Sequence, residues 1–267
     1  MELFIKTDYF NPELTLTGGQ AFRWKRIDDD RYAGITGNRA VEVKRETDGI
    51  RIIEAGDNDE DCDRRLAGWE NYFDINTNYI TIINLFSEDA VLCKACSSLY
   101  GLRLLKQEPF ETLISFIISQ NNNIPRITGI IERLCRAYGE ELGEGLYAFP
   151  AAETLVQADL SAIGAGYRAG YITDAARRVK DGGIDLDALY TLSADEARCE
   201  LMKIKGVGEK VADCVLLFAY GKHAAFPKDV HVKRALSEFY PDGLPECVRG
   251  HEGLAQQFLF EYIRSRR

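Results

Sequence analysis

The chain has 267 residues and a formal net charge of −9, and 46% of its residues are hydrophobic and 28% charged. This balance is typical of a folded globular protein and excludes an intrinsically disordered chain. No apolar run reaches the roughly 18 residues that a membrane-spanning helix needs, and the N-terminus lacks the basic and apolar segments of a secretory signal. We therefore expect an intracellular protein with no membrane partner.

Seven cysteines are spread along the chain. Their odd number and wide spacing predict reduced thiols in an intracellular protein. Cys93 and Cys96 are closely spaced, but a single pair provides only half of a structural zinc site. No close run of four cysteines suggests an iron–sulfur cluster. We therefore expect no metal and no other cofactor.

The first half of the chain begins with strand patterns. Tyr32–Thr36, Ala40–Lys44 and Ile50–Glu54 are rich in β-branched residues and partly alternate apolar with polar positions. They are separated by Gly37-Asn38 and by Thr47-Asp48-Gly49, which are typical hairpin turns. These strands predict an antiparallel sheet.

Charge and then helical periodicity follow the strands. Residues 57–65 are strongly charged and predict an exposed surface. Beyond about residue 85 the pattern is helical, with one apolar stripe formed by Phe110, Leu113, Ile114, Ile117 and Ile118. Asn121–Asn123 ends that helix, and Pro125 suits the first turn of the next. The prediction is an α+β fold with an N-terminal antiparallel β domain over residues 1–100 and a mainly helical domain over residues 101–267.

A glycine-containing hairpin is predicted at about residues 196–220. One helix ends near Lys205, Gly206-Val207-Gly208 forms the turn, and a second helix starts at once. Backbone N–H groups at the start of the second helix could bind phosphate oxygens without reading base sequence. Residues 203–234 carry seven basic and three acidic side chains, against the acidic balance of the whole chain. An ordinary tight turn between two packed helices is the alternative.

Lys210 lies in the first turn of the second helix, where the helix dipole opposes a positive charge. This position and partial burial would both favour the uncharged amine. An uncharged lysine amine can act as a nucleophile and form a Schiff base. A surface lysine that contacts a phosphate is the alternative interpretation.

Asp229 follows 19 residues later, at the N-cap position of another predicted helix. A carboxylate that faced Lys210 would stabilise positive charge developing at a sugar carbon and help to transfer protons. The N-cap alone also explains the residue, so both interpretations stay open. His231, in the first turn of that helix, could bind a phosphate or could be an ordinary core or surface histidine.

These two segments, Gly206–Cys214 and Pro227–His231, together resemble the helix-hairpin-helix/Gly-Pro-Asp superfamily of DNA glycosylases. Further segments narrow the resemblance to the 8-oxoguanine DNA glycosylase family; they are Gly18–Trp24, Ser119–Gly129, Gly164–Ala169 and Leu254–Phe260. The segments follow one another in the family's order and span nearly the whole chain.

The resemblance implies excision of 8-oxoguanine from double-stranded DNA, preferably opposite cytosine, followed by strand cleavage on the 3′ side of the lesion. Lys210 would attack C1′, expel the damaged base and remain attached as a Schiff base until β-elimination. Asp229 would assist departure of the base electrostatically. Because the duplex hides C1′, the nucleotide would be flipped out of the helix. We expect a monomeric enzyme that binds DNA containing oxidised guanine. It would act in the cytoplasm or nucleoid of a bacterium or archaeon, or in the nucleus of a eukaryote.

The resemblance also implies the DNA contacts. Asn121 would fill the gap left by the flipped nucleotide, and Tyr167 would wedge beside it. The estranged cytosine would receive hydrogen bonds from Arg126 and Arg168. From their positions at the hairpin and at a helix start, Gly206, Gly208 and His231 are the candidates for contacts with the DNA backbone.

A base pocket is implied at Gly19, Cys214, Gln256 and Phe260. Oxidised guanine carries a hydrogen on N7, where guanine has only a lone pair. The Gly19 carbonyl would accept a hydrogen bond from N7–H and repel the lone pair of guanine. Gln256 would read the Watson–Crick edge, and Phe260 and Cys214 would lie against the two faces of the ring. Taken singly, Phe260 and Cys214 are more simply explained as core residues.

Two other functions stay open. The chain could be a glycosylase for another lesion, such as an alkylated purine, with Lys210 non-catalytic and Gly19 outside the pocket. It could also be a non-catalytic DNA-binding module that uses only the hairpin. The second is disfavoured because a pure binding module has no need for Asp229 or Gln256.

Overall fold

The structure is a computed structural model that describes residues 1–55, 61–143 and 145–265. Its strands are Glu2–Lys6 (β1), Trp24–Arg26 (β2), Arg31–Thr36 (β3), Arg39–Glu46 (β4), Gly49–Glu54 (β5), Glu141–Gly143 (β6) and Leu146–Tyr147 (β7). Its α-helices are Pro12–Leu16 (α1), Cys62–Tyr72 (α2), Tyr79–Phe86 (α3), Ala90–Ser98 (α4), Pro109–Ser119 (α5), Ile124–Tyr138 (α6), Ala152–Gln157 (α7), Ala169–Lys180 (α8), Ala194–Leu201 (α9), Glu209–Phe218 (α10), Val230–Phe239 (α11) and Glu252–Ser265 (α12). The predicted α+β fold is confirmed.

The N-terminal sheet has the strand order β1-β5-β4-β3-β2, and neighbouring strands are antiparallel. Its register aligns Leu3, Ile52, Val43 and Tyr32 across four strands, and all four side chains are buried. One row of apolar side chains therefore forms the inner face of the sheet. The three predicted strands are present and slightly longer than predicted, whereas β1 and β2 were not predicted.

Helix α2 covers this inner face. The rings of Trp69 and Phe73 stack at 5.5 Å between centroids, next to the sheet. The predicted exposed surface over 57–65 is wrong at Arg65, which is buried because its guanidinium pairs with Glu54. The Trp69 indole also donates to this carboxylate, at 2.7 Å. Residues 57–60 of that prediction lie outside the described residues.

The helical body is built around α5 and α10. The predicted apolar stripe of α5 is buried, and every residue of α10 from Val211 to Phe218 is buried. The two helices meet where Phe116 stacks on Phe218 with ring centroids 5.4 Å apart. Helix α5 ends at Ser119, and Asn123 caps α6 by accepting from the Arg126 backbone N–H at 3.0 Å. The predicted helix break at the asparagines is confirmed.

The buried side chains form two hydrophobic cores. One lies under the sheet, and the other fills the helical body. Tyr79 and Phe86 of α3 already belong to the core of the helical body, whereas Leu105 belongs to the core under the sheet. The division at residue 100 therefore stays a prediction.

All seven cysteines are free thiols. Within the described part of the chain, no group of three or more potential ligands could hold a metal ion. No helix there is long and apolar enough to cross a membrane.

Candidate active site

The hairpin is formed by α9 and α10. Its first helix ends at Leu201 instead of near Lys205, because tighter turns with backbone hydrogen bonds such as Ile204 N–H to Leu201 O replace the helix. Gly206 has a φ of +82°, and a Cβ there would lie 2.3 Å from the Tyr171 ring. The packing therefore requires glycine at this position.

Gly208 is the N-cap residue of α10. It has no side chain to cap the first N–H groups of the helix, and a Cβ built on it would meet open space. The start of α10 therefore faces solvent with the geometry of an anion-binding helix N-terminus.

Lys210 is half-buried in the first turn of α10. Its amine donates to Ser119 Oγ at 3.4 Å and lies 5.3 Å from the centroid of the Phe116 ring. Both partners are on α5, which packs along α10. The half-buried amine therefore lies against α5.

The Cys214 thiol lies one helical turn beyond Lys210 and is buried. Burial raises the pKa of this thiol to about 11, and the Asp229 carboxylate adds to the effect, whereas the nearby Lys210 ammonium lowers it. The thiol is therefore protonated at neutral pH and is a poor nucleophile. Lys210 and Asp229 are both close enough to Cys214 to affect the pKa of its thiol.

Asp229 is the N-cap of α11 and accepts from the Val232 backbone N–H at 2.7 Å. The capping interpretation is therefore correct, and it leaves the second carboxylate oxygen for another partner. The carboxylate is half-buried at the helix start. The structure is compatible with both roles considered for this residue.

Phe260 joins the N-terminal segment to this region. The ring of His231 packs edge-on against Phe260, with centroids 5.9 Å apart. Gly19 has a φ of +82°, and a Cβ there would lie 3.0 Å from Ile124 Cδ1 and 3.7 Å from Phe260 Cε1. The structure therefore brings Gly19, Phe260 and His231 together, although they are distant in sequence.

Gln256 lies four residues before Phe260 on α12 and is 4% exposed. Its Oε1 atom is buried and has no hydrogen-bond partner among the described residues. A buried carbonyl oxygen without a donor costs about 1–3 kcal/mol. Such an atom is suited to accept a hydrogen bond from a ligand.

Two loops lie at a second part of the site. Asn121 is exposed, with a φ of +47° that is unusual for a residue other than glycine, and its amide donates to the Tyr167 hydroxyl at 3.3 Å. Tyr167 is 55% exposed, and its ring meets Tyr171, the residue that packs on Gly206, at 5.9 Å. The two predicted wedge residues therefore touch each other and connect to the hairpin.

Arg168 is only 3% exposed. Its Nε donates to the Gln120 carbonyl at 2.8 Å, its Nη2 to the Asn121 carbonyl at 3.1 Å, and its Nη1 to the Ala165 carbonyl at 3.3 Å. The guanidinium also lies 4.5 Å from the centroid of the Tyr167 ring. Arg168 therefore joins the two loops, and its contact with cytosine stays a prediction.

Arg126 differs from Arg168. It is exposed in the first turn of α6, and its side chain has no hydrogen-bond or ion-pair partner within the described residues. This guanidinium is free to bind a partner outside the chain. Its contact with cytosine also stays a prediction.

Two residues near the amine were missed by the sequence analysis as functional candidates. Ser119 was included only as part of a motif, and Phe116 falls outside the predicted stripe of α5. No signal in the sequence identifies them, because their role depends on how α5 packs against α10. Their contacts with Lys210 are visible only in three dimensions.

The part of the chain that contains the helix-hairpin-helix matches a superfamily of DNA repair proteins. The sequence pattern described as "HhH-GPD superfamily base excision DNA repair protein" matches residues 114–243. The pattern described as "8-oxoguanine DNA glycosylase, N-terminal domain" matches residues 2–113. The chain therefore belongs to the 8-oxoguanine DNA glycosylase family, as the motifs predicted.

Individual relatives agree with this membership. The chain is 30% identical to "N-glycosylase/DNA lyase OGG1" of Arabidopsis thaliana over 93% of this chain and 72% of that protein. It is 40% identical to "N-glycosylase/DNA lyase" of Saccharomyces cerevisiae over 52% of this chain, but the match spans only 42% of the yeast protein.

A solved structure resembles the whole fold. The Clostridium acetobutylicum 8-oxoguanine glycosylase/lyase, in complex with double-stranded DNA containing cytosine opposite 8-oxoguanine, superimposes with a TM-score of 0.88. The two chains are 33% identical, and the match covers 99% of this chain and 98% of that one.

Proposed function

We propose that this protein is a bifunctional DNA glycosylase and abasic-site lyase that excises 8-oxoguanine in base excision repair. The observation that carries the proposal is the half-buried Lys210 amine at the start of α10, which lies against Ser119 and Phe116 of α5. The names of the Arabidopsis and Clostridium relatives support the same activity.

Lys210 is the nucleophile of the proposed reaction. Its uncharged amine forms a bond to C1′ while the bond between C1′ and N9 of the base breaks. The electron pair of the broken bond leaves with the base, which takes up a proton. Asp229 stabilises the positive charge that develops on the sugar. The sugar ring then opens to a Schiff base with Lys210, and loss of a C2′ proton expels the 3′ phosphate.

The base is recognised by its polar edges. The Gly19 carbonyl accepts no hydrogen bond from any described residue and is available to the N7–H of 8-oxoguanine. The buried Gln256 Oε1 needs a donor, and the Watson–Crick edge of the base provides N–H groups. Phe260 and Cys214 pack against the flat faces of the ring. Guanine lacks the N7 hydrogen and so leaves the Gly19 carbonyl facing a lone pair.

DNA binding involves the exposed loops and the hairpin. Asn121 and Tyr167 enter the space left by the flipped nucleotide, and Arg126 binds the estranged cytosine. Gly206, Gly208 and His231 contact the phosphate backbone. The enzyme acts on intracellular DNA, as a monomer and without a metal or other cofactor.

Borohydride trapping on a duplex containing 8-oxoguanine opposite cytosine tests the proposal. We expect the native protein to release the base, cut the strand and form a reduced covalent complex, and Lys210→Gln to form none. Lys205→Gln is the matched control, because this exposed lysine lies on the same hairpin. Equal trapping of Lys210→Gln would remove the lysine from the mechanism. Release of an alkylated purine but not of 8-oxoguanine by the native protein would contradict the proposed substrate.

A further inference from the structure

Gln20 is a fully buried amide directly after Gly19. All of its amide atoms are paired with the backbone. Its Nε2 donates to the Thr15 carbonyl at 2.9 Å and to the Arg103 carbonyl at 2.7 Å, and its Oε1 accepts from the Leu105 N–H at 2.8 Å. One side chain thus anchors the Gly19 loop to the segment 103–107 between the sheet and α5.

This anchoring acts on the Gly19 carbonyl. The carbonyl belongs to the peptide unit between Gly19 and Gln20, and peptide planarity fixes its direction relative to the Gln20 backbone nitrogen. Gly19 itself does not restrict the direction, because glycine at a φ of +82° has wide conformational freedom. The rigidly held Gln20 therefore determines where the carbonyl points.

The anchor also extends to the helix that carries the lysine. Gln107 Nε2 donates to the Gln20 carbonyl at 2.8 Å, and the Gln107 backbone N–H donates to the carbonyl of Phe218, the last residue of α10, at 2.8 Å. Two hydrogen bonds therefore connect the loop of Gly19 with the helix of Lys210.

The geometry of the substrate explains why the Gly19 loop and the helix of Lys210 should be connected. N7 and C1′ belong to one nucleotide, so their separation varies little, and the groups that meet them must also be held at a fixed separation. Displacement by about 1 Å can reduce a rate about a hundredfold. We propose that Gln20, bridged by Gln107, is a positioning residue that aims the Gly19 carbonyl at N7 and sets its distance from Lys210.

This inference rests on the proposed function, and its experiment separates the two. Excision of 8-oxoguanine and cleavage of a preformed abasic site are measured under single-turnover conditions for the native protein and for Gln20→Met. An abasic site has no base and needs Lys210 but not the Gly19 carbonyl. We expect Gln20→Met to slow base excision at least about tenfold more than abasic-site cleavage.

Gln107→Met removes only the hydrogen bond that Gln107 Nε2 donates to the Gln20 carbonyl. If Gln20→Met does not fold, this variant still tests the proposal. It should shift the same ratio in the same direction by a smaller factor. Tyr72→Phe is the matched control, because it removes the buried hydrogen bond that the Trp24 indole donates to the Tyr72 hydroxyl at 3.0 Å, in the core under the sheet. Its ratio should stay at the native value.

A substrate analogue provides a second readout. In 8-oxo-7-deazaguanine, carbon replaces N7 and the N–H donor is lost. The native protein should process 8-oxoguanine faster than the analogue, and Gln20→Met should narrow this difference. Equal losses of excision and abasic-site cleavage, with the preference unchanged, would assign Gln20 a purely structural role. Native protein that does not act on 8-oxoguanine would instead overturn the proposed function.

Discussion

The lysine pocket and the loop pair are built in different ways. Of the proposed pocket residues, Lys210, Cys214, Gln256 and Phe260 lie on the packed helices α10 and α12, and Asp229 caps α11. Their positions follow from the core of the helical body. The exposed Asn121 and Tyr167 lie on loops that share one buried brace, Arg168. The residues proposed to act on C1′ are thus placed on or next to packed helices, whereas the residues proposed to replace a flipped nucleotide are placed on exposed loops.

This difference predicts how each region responds to mutation. In the pocket, a substitution that keeps the packing should change the rate of base excision but not the unfolding free energy. At the loops, substitution of the buried Arg168 should lower the unfolding free energy, whereas substitution of the exposed residues should change only DNA recognition.

The largest expected effect is that of Asp229→Asn in the pocket. Asparagine caps helices as well as aspartate does, so the hydrogen bond from the Val232 N–H survives while the charge is lost. We expect excision of 8-oxoguanine to fall about 10²- to 10³-fold with the unfolding free energy within about 0.5 kcal/mol of native. Single-turnover kinetics and urea denaturation measure the two quantities.

Asp61→Asn is the control for this prediction, because Asp61 caps α2 by accepting from the Asp63 N–H. Its excision rate should equal that of the native protein. If Asp229→Asn also retained native activity, Asp229 would be a helix cap and nothing more.

The next effect is a loss of stability when Arg168, which joins the two loops, is substituted. Arg168→Met removes the side-chain donor of the Gln120, Asn121 and Ala165 carbonyls, and only Ala165 keeps another donor among the described residues, the backbone N–H of residue 168. We expect a loss of about 2–3 kcal/mol in unfolding free energy, together with faster hydrogen exchange at residues 119–123. Urea denaturation and exchange mass spectrometry measure these effects. Native stability and exchange in the variant would show that the loops do not depend on Arg168.

Arg126→Ala tests an exposed residue, in contrast to the buried Arg168. Because its side chain has no partner within the described residues, the unfolding free energy should change by less than about 0.5 kcal/mol. We expect the ratio of excision rates opposite cytosine and opposite adenine to fall about tenfold, as loss of a base contact predicts. Lys25→Ala, at an exposed ion pair with Glu132, is the control. An unchanged ratio would mean that Arg126 does not read the opposite base.

Local patterns predicted much of this molecule. The three central strands, the stripe of α5 and the break at the asparagines follow from periodicity and turn chemistry within short windows. Strand β2 has only three residues, and β1 pairs with β5 across more than forty residues of chain. Such pairings depend on tertiary contacts that a local pattern does not contain.

The same limit applies at the site. Lys210, Asp229 and the asparagines were recognisable because their motifs are continuous in sequence. Burial of Arg168 was not predicted, because a Tyr-Arg pair at a turn looks like exposed surface until the facing carbonyls are known. The role of the Gln20 amide was also not predictable, because its hydrogen-bond partners lie in the segment 103–107, more than eighty residues away.

The last expected effect concerns the pH dependence of stability and comes from a single carboxyl on α12. Glu261 is buried on α12 beside Gly18, where a Cβ would lie 3.1 Å from Glu261 Oε1. Burial raises the pKa of this carboxyl to about 7, although Arg264, which pairs with it at 2.7 Å, lowers it in part.

In the unfolded chain the carboxyl titrates near 4.5. Between pH 4.5 and about 7 the native state holds a proton that the unfolded state has lost, so the unfolding free energy falls as the pH rises. One such group contributes up to about 1.4 kcal/mol per pH unit. Glu261→Gln should therefore flatten the decline between pH 5 and 7, as measured by urea denaturation. Some decline should persist, because burial also raises the pKa of Glu111 to about 7. Identical slopes for native protein and variant would show that Glu261 is already ionised in the native state at pH 5. Its burial would then not lower the unfolding free energy as the pH rises.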